Sequence, residues 1–266
     1  MLCILDIVVE YFDKALDDDA SEVTFYRRFA MLLDVVFGDL SIKMIDGENV
    51  SNATKLAREH NLGTYGYDAT SSFGRRIDLM LKLKDSTIEL SSNEWKSKRT
   101  RHMLKKQQSK NIRSNCAILN KLFITSKMSI NQTKAVDVVG STGYLYLLQL
   151  KDDLYVSSVL ARIFLPMEID HLRQFKSTIK ALFMWKDFFE EMIHKLKVAM
   201  LPQHLDADLG DIVRCPSPNP RISPLLLLFF TPQSITVSEN GRLIMLNNFL
   251  PYCSIPPDPY CYSCDL

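Results

Sequence analysis

The sequence lacks a long apolar run. The stretch LLLLFF at 225–230 is far shorter than the ~20 consecutive apolar residues that a membrane-spanning helix requires. The first twelve residues, MLCILDIVVEYF, have no basic start, contain Asp6 and lack a small-residue cleavage site, so they do not fit a secretory signal peptide. We therefore expect an intracellular protein, nuclear or cytoplasmic, that is not secreted and has no membrane partner.

Cysteine is also scarce. Six cysteines in 266 residues do not make the disulfide framework of a small secreted domain. Cys261 and Cys264 have the spacing of a metal knuckle, but a single CxxC without a second half is a weak zinc signal. The P-loop, GxGxxG, GxSxG and HExxH patterns are absent. The sequence therefore gives no signal for a small-molecule cofactor.

Acidic residues are missing from one long stretch, although the net charge of the whole chain is only +1. Residues 97–136 contain ten Lys or Arg and no acid, whereas residues 1–22 contain seven acids and a single base, Lys14. Solvated helices normally intersperse charges of both signs. The uneven distribution of charge therefore predicts a strongly basic surface within a nearly neutral chain.

Apolar periodicity predicts an α/β domain in the order α-α-β-β-α-β-β-α. Ser21 and Glu22 are typical of a helix start, and Gly38 of a helix end. Turns are predicted at 84–86 and 151–153, each between two strands. The predicted segments are helices at 22–37 and 49–63, strands at 75–83 and 87–96, a helix through 107–122, strands at 143–150 and 154–165, and a helix at 167–200.

The composition changes after Pro202, where nine of the eleven prolines follow. We expect three regions: an acidic N-terminal segment at 1–19, a mixed α/β domain at 20–200, and a Pro-rich C-terminal tail at 201–266 with one apolar hairpin. The domain would have a mixed central sheet flanked by helices.

Two carboxylates and a lysine share one face of the first predicted hairpin. With a three-residue turn, Asp78 would face Ser92, and alternation would place Asp78, Glu94 and Lys96 on the same side of the sheet. Trp95 would point to the opposite side, into a core. Glu94 would then lie diagonal to Asp78, close enough for both carboxylates to reach one cation.

Two oxygen ligands beside an ammonium group suit metal-assisted phosphodiester hydrolysis. Mg²⁺ is commonly held by one or two carboxylates together with substrate phosphate oxygens and water. The bound ion lowers the pKa of water and offsets negative charge on the phosphate. The pattern therefore favours a nuclease that uses Mg²⁺ or Mn²⁺ held by Asp78 and Glu94.

The motifs RRID, NEWK and QQSKNIR, on two strands and the following helix, resemble the signature of the PD-(D/E)XK, or restriction-endonuclease-like, nuclease superfamily. The chain is also similar to uncharacterised fungal members of that superfamily. The resemblance covers about residues 20–200, and the tail has no counterpart in it. Ile77 stands where many members have proline.

The resemblance implies a restriction-endonuclease-like fold and a set of site residues. It assigns metal binding to Asp78 and Glu94, and assistance of the attacking water to Lys96. The further carboxylate that the family often has on its first core helix would be Glu22. Gln107 and Gln108 compete for the polar position on the following helix, and the helical wheel places Gln108 on the inward face.

A basic band next to these carboxylates would attract a nucleic acid backbone. Each phosphate contact releases counterions, so such a band gives affinity that falls with salt and does not depend on sequence. We expect a nucleic acid partner, with DNA ahead of RNA, and a homodimer is left open. The same stretch fits a nuclear-import signal. The basic band consists of Lys98, Arg99, Arg101, Lys105, Lys106, Lys110 and Arg113.

Each of these residues also has a structural interpretation. The basic band could be a solvated helix face, Glu22 could only stabilise a helix dipole, and Gln108 could be a core amide. Glu94 and Lys96 could lie on a solvated strand face, and Asp78 could pair with the arginine at 75 or 76. Two further functions stay open: a pseudo-nuclease that binds without cutting, and an unrelated α/β interaction domain that meets an acidic protein.

Overall fold

The computed structural model describes residues 2–13, 20–65, 74–96, 104–210, 236–237 and 242–245. These residues form an α/β fold in which one mixed, mostly antiparallel sheet is flanked by helices on both faces. The α/β prediction is therefore confirmed. Within the described residues, every helix is too short or too polar to cross a membrane.

Five helices are described. The second begins at the Ser21 N-cap, whose hydroxyl accepts a hydrogen bond from the Thr24 backbone N–H, and it ends at Gly38. Both ends match the sequence prediction. A short 3₁₀ turn, Ile169–His171, precedes the last helix. The helices are α1 (Leu2–Asp13), α2 (Glu22–Phe37), α3 (Asn52–Tyr65), α4 (Leu104–Thr125) and α5 (Leu172–Gly210).

The strands form a single sheet in the order β1-β2-β3-β4-β5-β6-β8-β7. Only the β3–β4 pair is parallel among the described pairings, and α4 is the connection between those two strands. The strands are β1 (Ile42–Val50), β2 (Arg76–Leu83), β3 (Glu89–Lys96), β4 (Gln132–Val139), β5 (Thr142–Lys151), β6 (Leu154–Phe164), β7 (Thr236–Val237) and β8 (Arg242–Met245).

The core lies on both faces of the sheet. On one face Trp95 packs against the rings of Tyr26 and Phe29 of α2, as its predicted inward direction requires. Phe37 of α2 packs against Trp185 of α5 on the same side. The opposite face is covered by α4, whose Ile112, Cys116 and Leu119 are buried. Cys3, in contrast, is exposed.

Strands β1 and β4 were not predicted from the sequence. In β1 the alternation is interrupted at Asp46 and Gly47, where Gly47 has a φ of 71° and the pairing with β2 shifts. In β4 a buried Asp137 interrupts the apolar pattern. Both interruptions break the period of two on which strand prediction depends.

The predicted boundaries of the domain leave out elements that belong to it. Ile4 and Val8 of α1 lie in the same core as α2, so the helix within the expected acidic segment at 1–19 packs on the domain. The helix expected at 167–200 instead begins at Leu172 and ends at Gly210. Strands β7 and β8 pair with each other and extend the sheet beyond β6. Most of the Pro-rich tail lies outside the described residues.

The register of the first hairpin differs from the predicted one. Met80, and not Asp78, lies opposite Ser92. The turn is one residue longer than assumed, since the Leu83 N–H donates to the Ile88 carbonyl, and a second one-residue irregularity follows between Leu81 and Lys82. The two offsets add up to an even number. Each residue of the hairpin therefore points to the predicted face of the sheet, although it pairs with a different residue on the neighbouring strand.

Candidate functional site

A group of buried amides fixes the end of β3 that carries the candidate site. The Asn93 side chain accepts a hydrogen bond from the Val136 N–H of β4 at 2.9 Å and donates to the Leu79 carbonyl of β2 at 3.3 Å. Asn115 of α4 accepts from the Ser92 N–H and donates to the Ser92 carbonyl, both at 2.8 Å. These side chains satisfy the backbone just before the parallel β3–β4 pairing begins at Glu94. They hold three strands in place at that residue.

Asp78 lies beside this point on β2. Extending the observed register by one residue sets Asp78 directly opposite Glu94, closer than the predicted diagonal arrangement. The Trp95 backbone N–H donates to Asp78 Oδ2 at 2.8 Å, which fixes the carboxylate. Its side chain is 30% exposed, so solvent and ligands can reach it.

Lys96 lies between two carboxylates. Its Nζ is 3.1 Å from Glu22 Oε1, at the first turn of α2, and 3.9 Å from Asp78 Oδ2. Burial disfavours the ammonium, but Asp78 and Glu22 outweigh burial and raise the pKa of Lys96 above its ordinary value. Lys96 therefore stays protonated and acts as a hydrogen-bond donor and a positive charge.

Glu94 is the most deeply buried member of the cluster, with 0% exposure. The Lys110 Nζ of α4 lies 3.0 Å from each carboxylate oxygen, but only Oε2 accepts a hydrogen bond from it. Oε1 accepts no hydrogen bond from the described residues. Burial, followed by the charge of Asp78, raises the pKa of Glu94 to about 7, although Lys110 and Lys96 oppose this.

The cluster fits a divalent cation by its chemistry. Asp78 and Glu94 offer hard oxygen ligands, and Glu94 Oε1 is a buried acceptor that lacks a hydrogen bond. Among the described residues no group of three or more His, Cys, Asp or Glu is placed to hold a metal. Two carboxylates are the usual protein contribution to a Mg²⁺ site that is completed by water and substrate phosphate.

The predicted triad and Glu22 thus lie together, whereas Gln108 does not join them in any described contact. Gln108 is half-buried and lines a neighbouring cleft with Asp137 and Tyr144. The interpretation of Glu94 as part of a solvated strand face is wrong, because the residue is completely buried. The side chain of Gln107 lies outside the described residues.

The basic band is described only in part, and two of its members differ from the prediction. Lys110 is not a solvated cation but the ion-pair partner of Glu94. Arg113 is half-buried, and its Nε donates to the Ser109 carbonyl at 3.2 Å. Both lie beside the face of α4 that packs on the sheet, where Asn111, Ile112 and Ser114 are buried. The remaining members lie outside the described residues or have side chains outside them: Lys98, Arg99, Arg101, Lys105 and Lys106.

Sequence reasoning missed Asp137, which pairs with Glu94 across the parallel strands. Because paired residues of adjacent strands point to the same side, Asp137 faces α4 as Glu94 does. It is 4% exposed, and the Tyr144 hydroxyl donates to its Oδ2 at 3.3 Å. An acid inside the apolar run AVDVV was the signal that could have identified it.

Comparison with known proteins gave no relative. No family model matches the chain, and no curated protein or solved structure is significantly similar to it.

Proposed function

We propose that the protein is a Mg²⁺- or Mn²⁺-dependent nuclease of restriction-endonuclease-like fold that hydrolyses phosphodiester bonds, with DNA ahead of RNA as substrate. One observation carries the proposal: Asp78, Glu94 and Lys96 lie on one face where β2 and β3 meet, with Glu94 buried and its Oε1 without a hydrogen bond. The only charge partner within 4 Å of Glu94 among the described residues is the partly exposed Lys110 ammonium, so the buried carboxylate keeps the capacity to bind a cation supplied from outside.

The residues divide into ligands and positioning groups. Asp78 and Glu94 would hold the cation, which when bound would lower the pKa of a water and offset charge on the scissile phosphate. Lys96, kept protonated by its two carboxylate neighbours, would orient the attacking water and neutralise the developing anion by hydrogen bonding. Glu22 would hold Lys96 in place through its 3.1 Å ion pair.

Positive charge around the cluster supports a phosphate-bearing substrate. Arg75 donates to the Lys110 carbonyl at 2.9 Å and lies near Arg113 and Arg58. Burial, followed by these two neighbouring guanidinium groups, lowers the pKa of Arg75 to about 10. The mutual repulsion of these guanidinium groups would be relieved by an anionic ligand bound near them.

A second candidate function is a pseudo-nuclease, and Lys110 is the observation that favours it. Its ammonium lies 3.0 Å from both Glu94 oxygens, where it neutralises the carboxylate without a metal. If this ion pair is permanent, the protein would bind nucleic acid without cutting it. If it is a placeholder, a divalent ion would displace the ammonium, whose side chain is 38% exposed and has room to move.

The decisive assay uses purified full-length protein with plasmid and single-stranded DNA, in Mg²⁺, in Mn²⁺ and in EDTA. Asp78→Asn and Glu94→Gln keep the size of each side chain while removing its charge. Asp85→Asn, in the hairpin turn of the same strands, is the matched control, because Asn tolerates the positive φ of 56° there.

Metal-dependent cutting that both site variants lose and Asp85→Asn keeps would support the nuclease. Salt-sensitive binding without cutting, unchanged in the site variants, would favour the pseudo-nuclease. An absence of binding at low salt would favour the α/β interaction domain instead.

A further inference from the structure

A polar cleft opens next to the carboxylate cluster. Its volume is about 1000 Å³, and it lies where β4 and β6 end, β5 begins and α5 starts. Asp137, at the inner wall, is the strand partner of Glu94, and Gln108 lies two residues before Lys110 on α4. The cleft and the candidate metal site therefore share a boundary along β4 and α4.

The lining of the cleft combines aromatic and hydrogen-bonding groups with a cation. Tyr144 and Phe164 contribute aromatic rings, and Arg162, which is exposed, contributes a guanidinium group. Gln108, Gln174 and the hydroxyls at 141, 142 and 177 add donors and acceptors. Single-stranded nucleic acids are held by this combination, since bases stack on aromatic rings while cations follow the backbone.

Tyr144 differs from the other tyrosines of the sheet. Tyr146 and Tyr155 are buried in the core, whereas Tyr144 is only half-buried and lines the cleft. Its hydroxyl is held by Asp137 Oδ2 at 3.3 Å. Arg162 is its direct partner on β6, so the ring and the guanidinium group lie side by side on neighbouring strands. A base on the ring would have its phosphate within reach of Arg162.

The size and the concave shape of the cleft favour a single nucleic acid strand over a duplex as its ligand. Sites for small ligands measure about 300–1,000 Å³, so this cleft can enclose a few nucleotides. Paired bases are stacked within the duplex and cannot present their faces to Tyr144. We propose that the cleft binds an unpaired nucleic acid strand adjacent to the scissile phosphate. This proposal rests on the proposed function, and it names single-stranded or frayed nucleic acid as the substrate class.

Fluorescence anisotropy in EDTA tests binding separately from cleavage. The probes are labelled oligothymidylate, labelled oligouridylate and a labelled blunt hairpin duplex. Tyr144→Ala removes the ring, Tyr144→Phe keeps it, and Arg162→Ala removes the guanidinium group. Lys151→Ala, at the opposite end of β5, is the control for loss of one exposed cation. Thermal unfolding of each variant checks that it is folded.

The proposal expects the wild type to prefer the two single strands over the duplex. Tyr144→Ala should lose about tenfold in single-strand affinity, while Tyr144→Phe stays within about twofold of the wild type. Arg162→Ala should weaken binding about tenfold and reduce the salt slope by about one. Lys151→Ala should leave the affinity unchanged.

Failures of the two proposals are distinguishable. If the wild type cuts DNA while Tyr144→Ala and Arg162→Ala bind single strands as the wild type does, the cleft proposal is overturned and the nuclease stands. If the wild type never cuts but both variants lose single-strand binding, the nuclease fails, and of the cleft proposal only the binding of an unpaired strand stands. Equal affinity for the duplex, weakened equally by both variants, overturns the assignment to unpaired strands.

Discussion

The two buried glutamates of β3 share a strand and a side-chain type but have opposite surroundings. Glu89 is 1% exposed and accepts hydrogen bonds from Ser51 Oγ at 2.8 Å and from the backbone N–H groups of Asn52 and Ala53 at 2.7 and 3.0 Å. These donors form the start of α3, where a carboxylate also benefits from the helix dipole. Glu89 is thus fully satisfied by the fold.

Glu94, five residues further on, is satisfied only in part. It has one ammonium partner, Lys110, and one oxygen without a hydrogen bond, and its pKa is raised to about 7. The fold therefore supplies Glu89 with three protein donors, whereas burial of Glu94 disfavours its charged form. Burial alone therefore does not distinguish a structural carboxylate from a functional one. The number of protein hydrogen-bond donors around each carboxylate makes the distinction.

The largest expected effect is on cleavage by Glu94→Gln. Loss of a metal ligand should lower Mg²⁺-dependent cutting by about 1,000-fold or more, because several kcal/mol of transition-state stabilisation are lost. The free energy of unfolding at neutral pH should change little, since an unfavourably buried charge is removed. Cleavage assays and urea unfolding on the same preparations check both. A variant that unfolds more easily but cuts normally would make Glu94 structural.

Glu89→Ala should show the converse result. The substitution leaves the buried donors at the start of α3 unsatisfied and removes the partner of Lys82 at 4.0 Å. We expect a loss of roughly 3–5 kcal/mol in the free energy of unfolding, as for breaking a buried ion pair. Cleavage per folded molecule should stay within about threefold of the wild type. A thousandfold loss of cleavage in folded protein would remove the distinction between the two glutamates.

The pH dependence of the free energy of unfolding should reveal the raised pKa of Glu94. Because its pKa rises from the ordinary 4.5 to about 7 on folding, the folded state binds more protons than the unfolded state between these values. The favourable contribution of the protonated acid is therefore present below pH 4.5 and is lost as pH rises through about 7, by at most about 3 kcal/mol. Urea unfolding in EDTA should show this decline for the wild type and a flatter profile for Glu94→Gln. Parallel profiles would contradict the assignment.

The smallest effect is expected at Glu22, which acts only through Lys96. Glu22→Gln should weaken the 3.1 Å contact and lower cleavage about tenfold, as for other residues that orient a functional group. Lys96→Met should cost more than Glu22→Gln, and the double variant should cost no more than Lys96→Met alone. Additive losses would show that Glu22 acts independently of Lys96.

The sequence predicted much of this arrangement and missed the rest for identifiable reasons. Period-two alternation placed Asp78, Glu94 and Lys96 on one side, because a register error of an even number of residues leaves the sides unchanged. The same alternation did not fix strand partners, since the longer turn and the irregularity near Leu81 leave no clear mark in the sequence. The role of Glu22 on the first core helix came from the resemblance, and its contact with Lys96 is consistent with that position.

Contacts between residues that lie far apart in the sequence could not be predicted. Lys110 belonged to a charge run, and only the packing of α4 on the sheet brings it to Glu94. Asp137 lies 43 residues after Glu94, and its strand was not predicted, so the pair could not be foreseen. Asn93, Asn111 and Asn115 are buried amides that bond backbone groups of β2, β3 and β4, and single amides carry no such signal in a sequence.

Binding of Mn²⁺ without nucleic acid tests the central claim most directly, because it separates the carboxylate pair from every later step. Titration of Mn²⁺ followed by electron paramagnetic resonance should show bound metal in the wild type and in Glu89→Gln, and a loss of that binding in Asp78→Asn and in Glu94→Gln. Undiminished Mn²⁺ binding in Glu94→Gln, or no bound Mn²⁺ in the wild type, would contradict the account.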